Sequence, residues 1–355
     1  MLAPALRERY SLSLTEVGVV LAAEWIGLTF AMLPWGFAVD RFGERWTLTV
    51  GLGACSGFLA GAAYAPGFVS LVLLLGLAGI AGGSVQSGSG RAVMRWFDAD
   101  ERGLAFGIRQ TAVPVGGALA AVTLPLLGGP KEGFLFLAAF VAVGAAAGAI
   151  VLRPGRSETL ELEDVESSLR DRRLWLVCAV GGFYVTAQVA LMGFVVLFLH
   201  DDRGFSPGAA AGVLAASQVL VAVLRIGMGR WSDLVGSRVR PLHITGVAMT
   251  VALVLVALLA TAADPIVAVV LVAATAVSMA WNGIAFTLAA ELGGRRGGAA
   301  IGLQQTVLAA VGVVTPIAFA TIVSLSSWRV GFALAALGPL AGVALLRRMP
   351  DQIPR

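Results

Sequence analysis

Apolar runs of 17 to 27 residues follow one another along the chain, each closed by a short cluster of charged residues, glycine or proline. The runs are Leu14 to Val39, Trp46 to Ala63, Phe68 to Gly90, Leu104 to Leu127, Phe134 to Leu152, Leu174 to Leu199, Pro207 to Gly229, Leu242 to Ala262, Pro265 to Ala290, Ala299 to Leu325 and Val330 to Leu346. About 20 apolar residues wound as a helix cross a hydrocarbon core of roughly 30 Å, and lipid leaves each backbone polar group to be satisfied inside its own segment. The pattern predicts an all-α membrane protein with eleven transmembrane helices.

Composition excludes the alternative of a large soluble globule. Apolar residues make up 58% of the 355 and charged residues only 13%, against about 25% charged in ordinary soluble domains. The formal charge of +4 does not point to nucleic acid, because the basic residues stand between apolar runs and not on one face or arm. Cys55 and Cys178 are too few for a disulfide framework, and His200 and His243 lie far apart, so no metal site and no cofactor is expected. The first 13 residues are polar and the first run carries Glu24, so no cleavable signal is expected and every span should remain.

Charge placement predicts an orientation. If the loop after the first run is cytoplasmic, 18 of the 25 basic residues fall on that side, five on the other (Arg7, Arg9, Lys131, Arg203 and Arg329), and Arg109 and Arg225 fall within runs. The positive-inside rule selects this arrangement, with the loops holding Asp40 and Asp233, the central linker and the C-terminus cytoplasmic in a multi-pass cell-membrane protein.

The only long polar segment, residues 153–173, has 11 charged residues of 21. It divides the chain into a five-span bundle (1–152), a cytoplasmic linker and a six-span bundle with a short tail (174–355). Leu160, Leu162, Val165 and Leu169 give the linker a weakly amphipathic pattern, equally compatible with a solvated connection.

The halves repeat one another. At an offset of 193, Gly36, Asp40, Gly43 and Arg45 fall on Gly229, Asp233, Gly236 and Arg238; at 195, Gly107, Gln110 and Thr111 fall on Gly302, Gln305 and Thr306. Leu12-Ser13 falls on Phe205-Ser206. Each loop residue suits its place: Gly36 permits close helix approach, Gly43 a positive φ in a tight turn, and Asp40 hydrogen bonds from Arg41, Arg45 or a neighbouring helix N-terminus.

This G-x-x-x-D-R-x-G-x-R loop between two spans, with a degenerate second copy and a charged linker between halves, resembles the major facilitator superfamily over the whole chain. The resemblance implies the major facilitator fold, two pseudo-symmetric helical bundles rocking about a central site. It also implies that Asp40, Arg41 and Arg45 latch the cytoplasmic side closed. Arg41 has no basic counterpart at Leu234, so a weaker role is expected of the second loop. The family has twelve helices; the repeat counterpart of Leu174 to Leu199 falls before Met1. A first helix encoded upstream is therefore expected, with five helices, then six, and an unfilled groove beside Glu24.

Polar residues inside the runs are the remaining candidates. Glu24 stands about 15 Å into its helix at 1.5 Å per residue, where a carboxylate must be protonated, paired or wet, and is the candidate for proton coupling. Arg109, about 9 Å into the fourth run among small residues, suits an anionic solute, with Gln110, Gln304 and Gln305 as hydrogen-bonding partners. Arg225, about 6 Å from its end, is expected to snorkel or brace a loop. Gln86, Gln188 and Asn282 lie in spans that line the cavity in the resembled family, and Gln218 occupies the repeat place of Glu24.

Lys131, the sole lysine, follows Pro130, so no Walker motif exists; G-x-S-x-G and H-E-x-x-H are also absent. An enzyme is not expected. The expected activity is secondary transport of a small solute, with an organic anion as the candidate, by alternating access in a monomer, coupled to protons as in symport. Trp96-Phe97 with Glu101-Arg102-Gly103 resembles facilitators of the organic-anion and nitrate group. Pro114-Val115-Gly116-Gly117 approximates the pattern of drug and proton antiporters, which makes an efflux antiporter the alternative, beside a non-transporting membrane sensor.

Overall fold

A computed structural model describes residues 3–152 and 169–350. The linker residues 153–168, with the amphipathic pattern expected there, lie outside the described residues. Among those described there is no strand. The helices are α1 (Ala3–Tyr10), α2 (Leu14–Ala63), α3 (Phe68–Gly82), α4 (Ser84–Trp96), α5 (Arg102–Gln110), α6 (Ala112–Thr123), α7 (Pro130–Val151), α8 (Arg172–Leu197), α9 (Pro207–Val235), α10 (Val239–Leu259), α11 (Asp264–Ser278), α12 (Asn282–Gly293), α13 (Gly297–Leu325), α14 (Trp328–Ala335) and α15 (Leu337–Leu346).

Among the described residues, eight helical stretches are long and apolar enough to cross a membrane. Two of them, Glu16–Ala63 with 48 residues and Asp264–Leu325 with 62, are more than twice the roughly 20 residues that one crossing needs. Each contains breaks. Gly43 stands at φ 82° and ψ 165° within α2, and Gly294–Arg296 forms a short 3-10 turn between α12 and α13.

Local chemistry sets the helix starts. Ser13 and Glu16 form a reciprocal capping box at the start of α2, and the Ser206 hydroxyl accepts the Ala209 N–H at the start of α9. These serines are the pair that the repeat places in register. Gly236 ends α9 at φ 64°, in the left-handed region where glycine escapes the Cβ penalty.

The chain forms two compact units. The first consists of Met1–Arg95, Val115–Leu169 and Gly293–Thr306; the second, of Trp96–Pro114, Arg170–Leu292 and Val307–Arg355. Each unit thus takes most of one half of the sequence and one helical segment of the other. In the first, α2 packs along α3 and α7. In the second, α9 packs on α5 and α11, and α10 on α11, α14 and α15. The core of the second unit includes Tyr184 and Trp281, edge to face at 5.6 Å, with the Tyr184 hydroxyl donating to the Leu242 carbonyl at 2.9 Å. Large apolar side chains such as Trp25, Phe30, Val113 and Ile150 point outward, as lipid-facing residues do.

Candidate functional site

In the first unit, Asp40 Oδ1 accepts the Gly298 N–H at 3.0 Å and Oδ2 accepts the Ala299 N–H at 2.7 Å. These are the opening residues of α13, whose first N–H groups lack intrahelical acceptors and carry the positive end of the helix dipole. Glycine makes the approach possible. A methyl carbon on Gly36 would stand 2.7 Å from the Gly298 carbonyl oxygen, and one on Gly302 would stand 2.5 Å from that of Met32.

The second unit repeats the arrangement. Asp233 Oδ1 accepts the Gly103 N–H at 2.9 Å and Oδ2 the Leu104 N–H at 2.7 Å, at the start of α5. A methyl carbon on Gly229 would stand 2.2 Å from the Gly103 carbonyl oxygen. In both units a buried carboxylate from one half of the sequence clasps the start of a helix from the other half, 258 and 130 residues away.

The two clasps hold their charge differently. Arg91 donates to Asp40 at 2.6 Å and to the Arg295 carbonyl at 3.2 Å, and Arg95 pairs with buried Glu44 at 2.7 Å. Arg238 is buried and bonds Asp233, the Ser232 hydroxyl at 2.8 Å, the Ala99 carbonyl at 2.6 Å and Glu291 at 3.0 Å. Burial works against its charge, but Glu291 and Asp233 outweigh that and hold the guanidinium above its ordinary pKa.

Of the arginines expected in the first loop, Arg45 is exposed and donates to the Ala149 carbonyl at 2.9 Å, and Arg41 is exposed with its guanidinium over the Phe42 ring. Gly43 and Gly236 take the positive φ expected of turn glycines. Arg91, Arg95, Glu44 and Glu291 were not singled out from the sequence. A signal existed: Asp40 and Glu44, and Arg91 and Arg95, are both spaced by four, with the two arginines on one face of α4 and the two acids on either side of the break at Gly43.

The membrane-embedded candidates separate into groups. In the second unit, Arg109 donates to the Gln110 side-chain oxygen at 2.9 Å and lies over the Phe106 ring. Arg225 does not snorkel: it is 3% exposed and donates to the Gln110 carbonyl at 2.6 Å and the Met279 carbonyl at 3.1 Å. Gln188 Oε1, Gln218 Nε2 and Asn282 Oδ1 are buried atoms without a hydrogen-bond partner. Among the described residues no hydrogen bond joins these three side chains to one another. Gln304 and Gln305 are buried in the first unit, where Gln86 is half-buried. The Glu24 side chain is exposed on α2, and its carbonyl crowds Gly79, where a methyl carbon would stand 2.1 Å away. No cluster able to hold a metal ion occurs among the described residues.

Apolar helices of membrane length, with a repeated carboxylate loop, define a polytopic helical membrane protein. The sequence profile of the Major Facilitator Superfamily matches residues 1–316, and the chain belongs to that family. It is accordingly a transporter and not an enzyme. An MFS-type transporter of Mycobacterium tuberculosis is 31% identical, over 97% of this chain and 79% of its own length. The hexuronate transporter of Bacillus subtilis is 30% identical over 141 residues, 40% of this chain and 33% of its own. The probable sulfoacetate transporter of Cupriavidus necator is 24% identical over 97% of this chain and 86% of its own. Among solved structures, the transporter FucP in its outward conformation superposes with a TM-score of 0.79 at 15% identity, covering 98% of this chain and 92% of that one. That likeness establishes the fold.

Proposed function

We propose that this chain carries a small organic anion by alternating access, driven by a proton gradient, with the Asp40 and Asp233 clasps as the elements that engage and release. The observation that carries the reading is the pair of clasps. Each ties a carboxylate loop of one half of the sequence to a helix start of the other through four charge-assisted or dipole-aligned contacts or fewer, few enough to form and break in a cycle. In this reading Gly43 divides α2 into two crossings, the turn at Gly294–Arg296 divides the Asp264–Leu325 stretch, and α5 with α6 makes one crossing. Eleven crossings result, five in the half 1–152 and six in the half 174–355. The clasps and the linker between them lie on the cytoplasmic side of the cell membrane, where the basic residues gather, and a monomer is the working unit.

Anionic cargo is supported by two independent features. Relatives are named for hexuronate and sulfoacetate, both anions. Arginine guanidinium groups held inside spans, such as Arg109, recognise carboxylates and sulfonates. Gln188, Gln218 and Asn282 bring polar atoms that no protein group satisfies, which suits hydroxyl groups on the solute. Glu24, exposed in the body of its helix, is the proton carrier in this reading.

Proteoliposomes containing the chain test this with labelled glucuronate and sulfoacetate, with and without an inwardly directed proton gradient. Accumulation of at least one solute above its equilibrium level, only with the gradient, is expected. Absence of uptake over empty liposomes would refute anion transport for these solutes, and uptake indifferent to the gradient would refute proton coupling.

A further inference from the structure

We propose that Arg225 is a positioning residue: its guanidinium caps the end of α5 that Pro114 leaves without a donor, and thereby holds Arg109 and Gln110 in place. In a continuous helix the Gln110 carbonyl would accept the N–H of the residue four positions on. That residue is Pro114, which has no N–H. The helix stops at Gln110, turns at Thr111 and resumes as α6 at Ala112. Arg225 Nη1 supplies the missing donor at 2.6 Å.

The same guanidinium serves a second helix end. Arg225 Nε donates at 3.1 Å to the carbonyl of Met279, the residue that closes α11 before α12 begins at Asn282. Carbonyls at helix ends bear the negative end of the dipole, so a cation is their natural cap. The reach is short because α9 lies directly against α5: a methyl carbon on Gly107, one turn before Gln110, would stand 2.4 Å from the carbonyl oxygen of Arg225 itself.

The repeat provides an internal comparison. Arg225 corresponds to Met32 at the offset of 193, and Gln110 to Gln305 at 195; Pro114 corresponds to Ala309, which keeps its N–H. Pro114 and Arg225 thus carry proline and arginine together, and their repeat counterparts Ala309 and Met32 carry neither. Gln110 then links cap to candidate site. Its carbonyl takes Arg225, its side-chain oxygen takes Arg109 at 2.9 Å, and the residue is 7% exposed, so a shift of its backbone displaces the Arg109 guanidinium. The kinetic consequence rests on the proposed anion transport; the capping role does not.

The test is a cycle of Arg225→Met, Pro114→Ala and the double variant, with Arg225→Lys as the conservative change, each read by thermal unfolding of the purified full chain and by labelled glucuronate uptake in proteoliposomes. Arg225→Met is expected to lower the melting temperature and to raise KM for glucuronate by about tenfold with the maximal rate within about twofold. Arg225→Lys, able to reach one carbonyl, should lie between. In the Pro114→Ala background, where the Gln110 carbonyl regains an N–H, Arg225→Met should cost far less in both readouts. Equal cost in both backgrounds would overturn the capping role. A lowered melting temperature with unchanged KM would leave a brace only and overturn the positioning role. If Arg225→Met does not fold, the same comparison is made with Arg225→Lys. If the unaltered protein takes up no glucuronate, the anion reading falls, and the melting temperatures still decide whether Arg225 caps α5.

Discussion

Asp40→Asn isolates the first clasp. The carboxylate accepts Gly298 N–H and Arg91 through Oδ1 and Ala299 N–H through Oδ2. An amide of the same shape keeps one oxygen and replaces the other with an NH2 donor, which must face one of these donors. At least one charge-assisted bond is lost, about 1.5–3 kcal/mol, together with about 0.3–1 kcal/mol of favourable interaction with the α13 dipole. The Arg91 pair adds less, since that side chain is 28% exposed and solvent screens it. The clasp should weaken by about 2–4 kcal/mol, which at 1.4 kcal/mol per tenfold raises the released population roughly 30-fold to several hundredfold.

Hydrogen–deuterium exchange reads this at the atoms concerned, because the Gly298 and Ala299 amides are the donors. In the variant their exchange should accelerate by a comparable factor, while Gly103 and Leu104, held by Asp233, report whether release of one clasp alters the other. Unchanged protection of Gly298 and Ala299 in a folded variant would refute the reasoning. Solute uptake should fall in the same variant without loss of membrane insertion, since no buried apolar area is removed.

Gly229→Ala places a methyl 2.2 Å from the Gly103 carbonyl oxygen, whereas Gly227→Ala on the same helix meets nothing within 4 Å. The first should destabilise by about 1–3 kcal/mol in thermal unfolding and the second by much less; equal effects would remove the close-approach role. Glu24→Gln mimics the protonated carboxyl, so exchange of labelled solute across liposomes should survive while accumulation driven by a proton gradient is lost. Arg109→Gln should raise KM for glucuronate and leave binding of a neutral polyol unaltered, as measured by competition.

Coarse structure was readable because lipid imposes a simple rule: lengths of apolar run and the need for internal hydrogen bonding together dictate helices. Turn geometry was readable where one residue type is required, at Gly43 with φ 82° and Gly236 with φ 64°. The register of the repeat was readable too, and Ser13 and Ser206 both serve as helix caps. Partners of the aspartates were less so. A backbone N–H has no residue signature, and Gly298 and Gly103 lie far from Asp40 and Asp233 in sequence; only their small size marks them. Arg225 shows a different limit. Distance from the helix end suggested an outward path to water, but the carbonyl orphaned by Pro114 offers an acceptor inside the protein, and the side chain turns inward to it.

The two loops differ in a way that bears on their roles. Arg41, the motif position without a basic counterpart at Leu234, lies exposed over Phe42, and Arg91 pairs with Asp40 at 2.6 Å. Leu234 offers no cation at that position, and Asp233 still accepts the Gly103 and Leu104 N–H groups. Both carboxylates accept two backbone N–H groups at 2.7–3.0 Å. The second has in addition Arg238, 8% exposed and shared with Glu291, against the 28% exposed Arg91 of the first. A buried, bridged pair is screened less by solvent than a half-open one. If the clasps release during transport, the Asp40 clasp is thus the more easily modulated by surrounding salt, whereas on release of the Asp233 clasp Arg238 keeps Asp233, Ser232 and Glu291 of its own half and gives up only the Ala99 carbonyl.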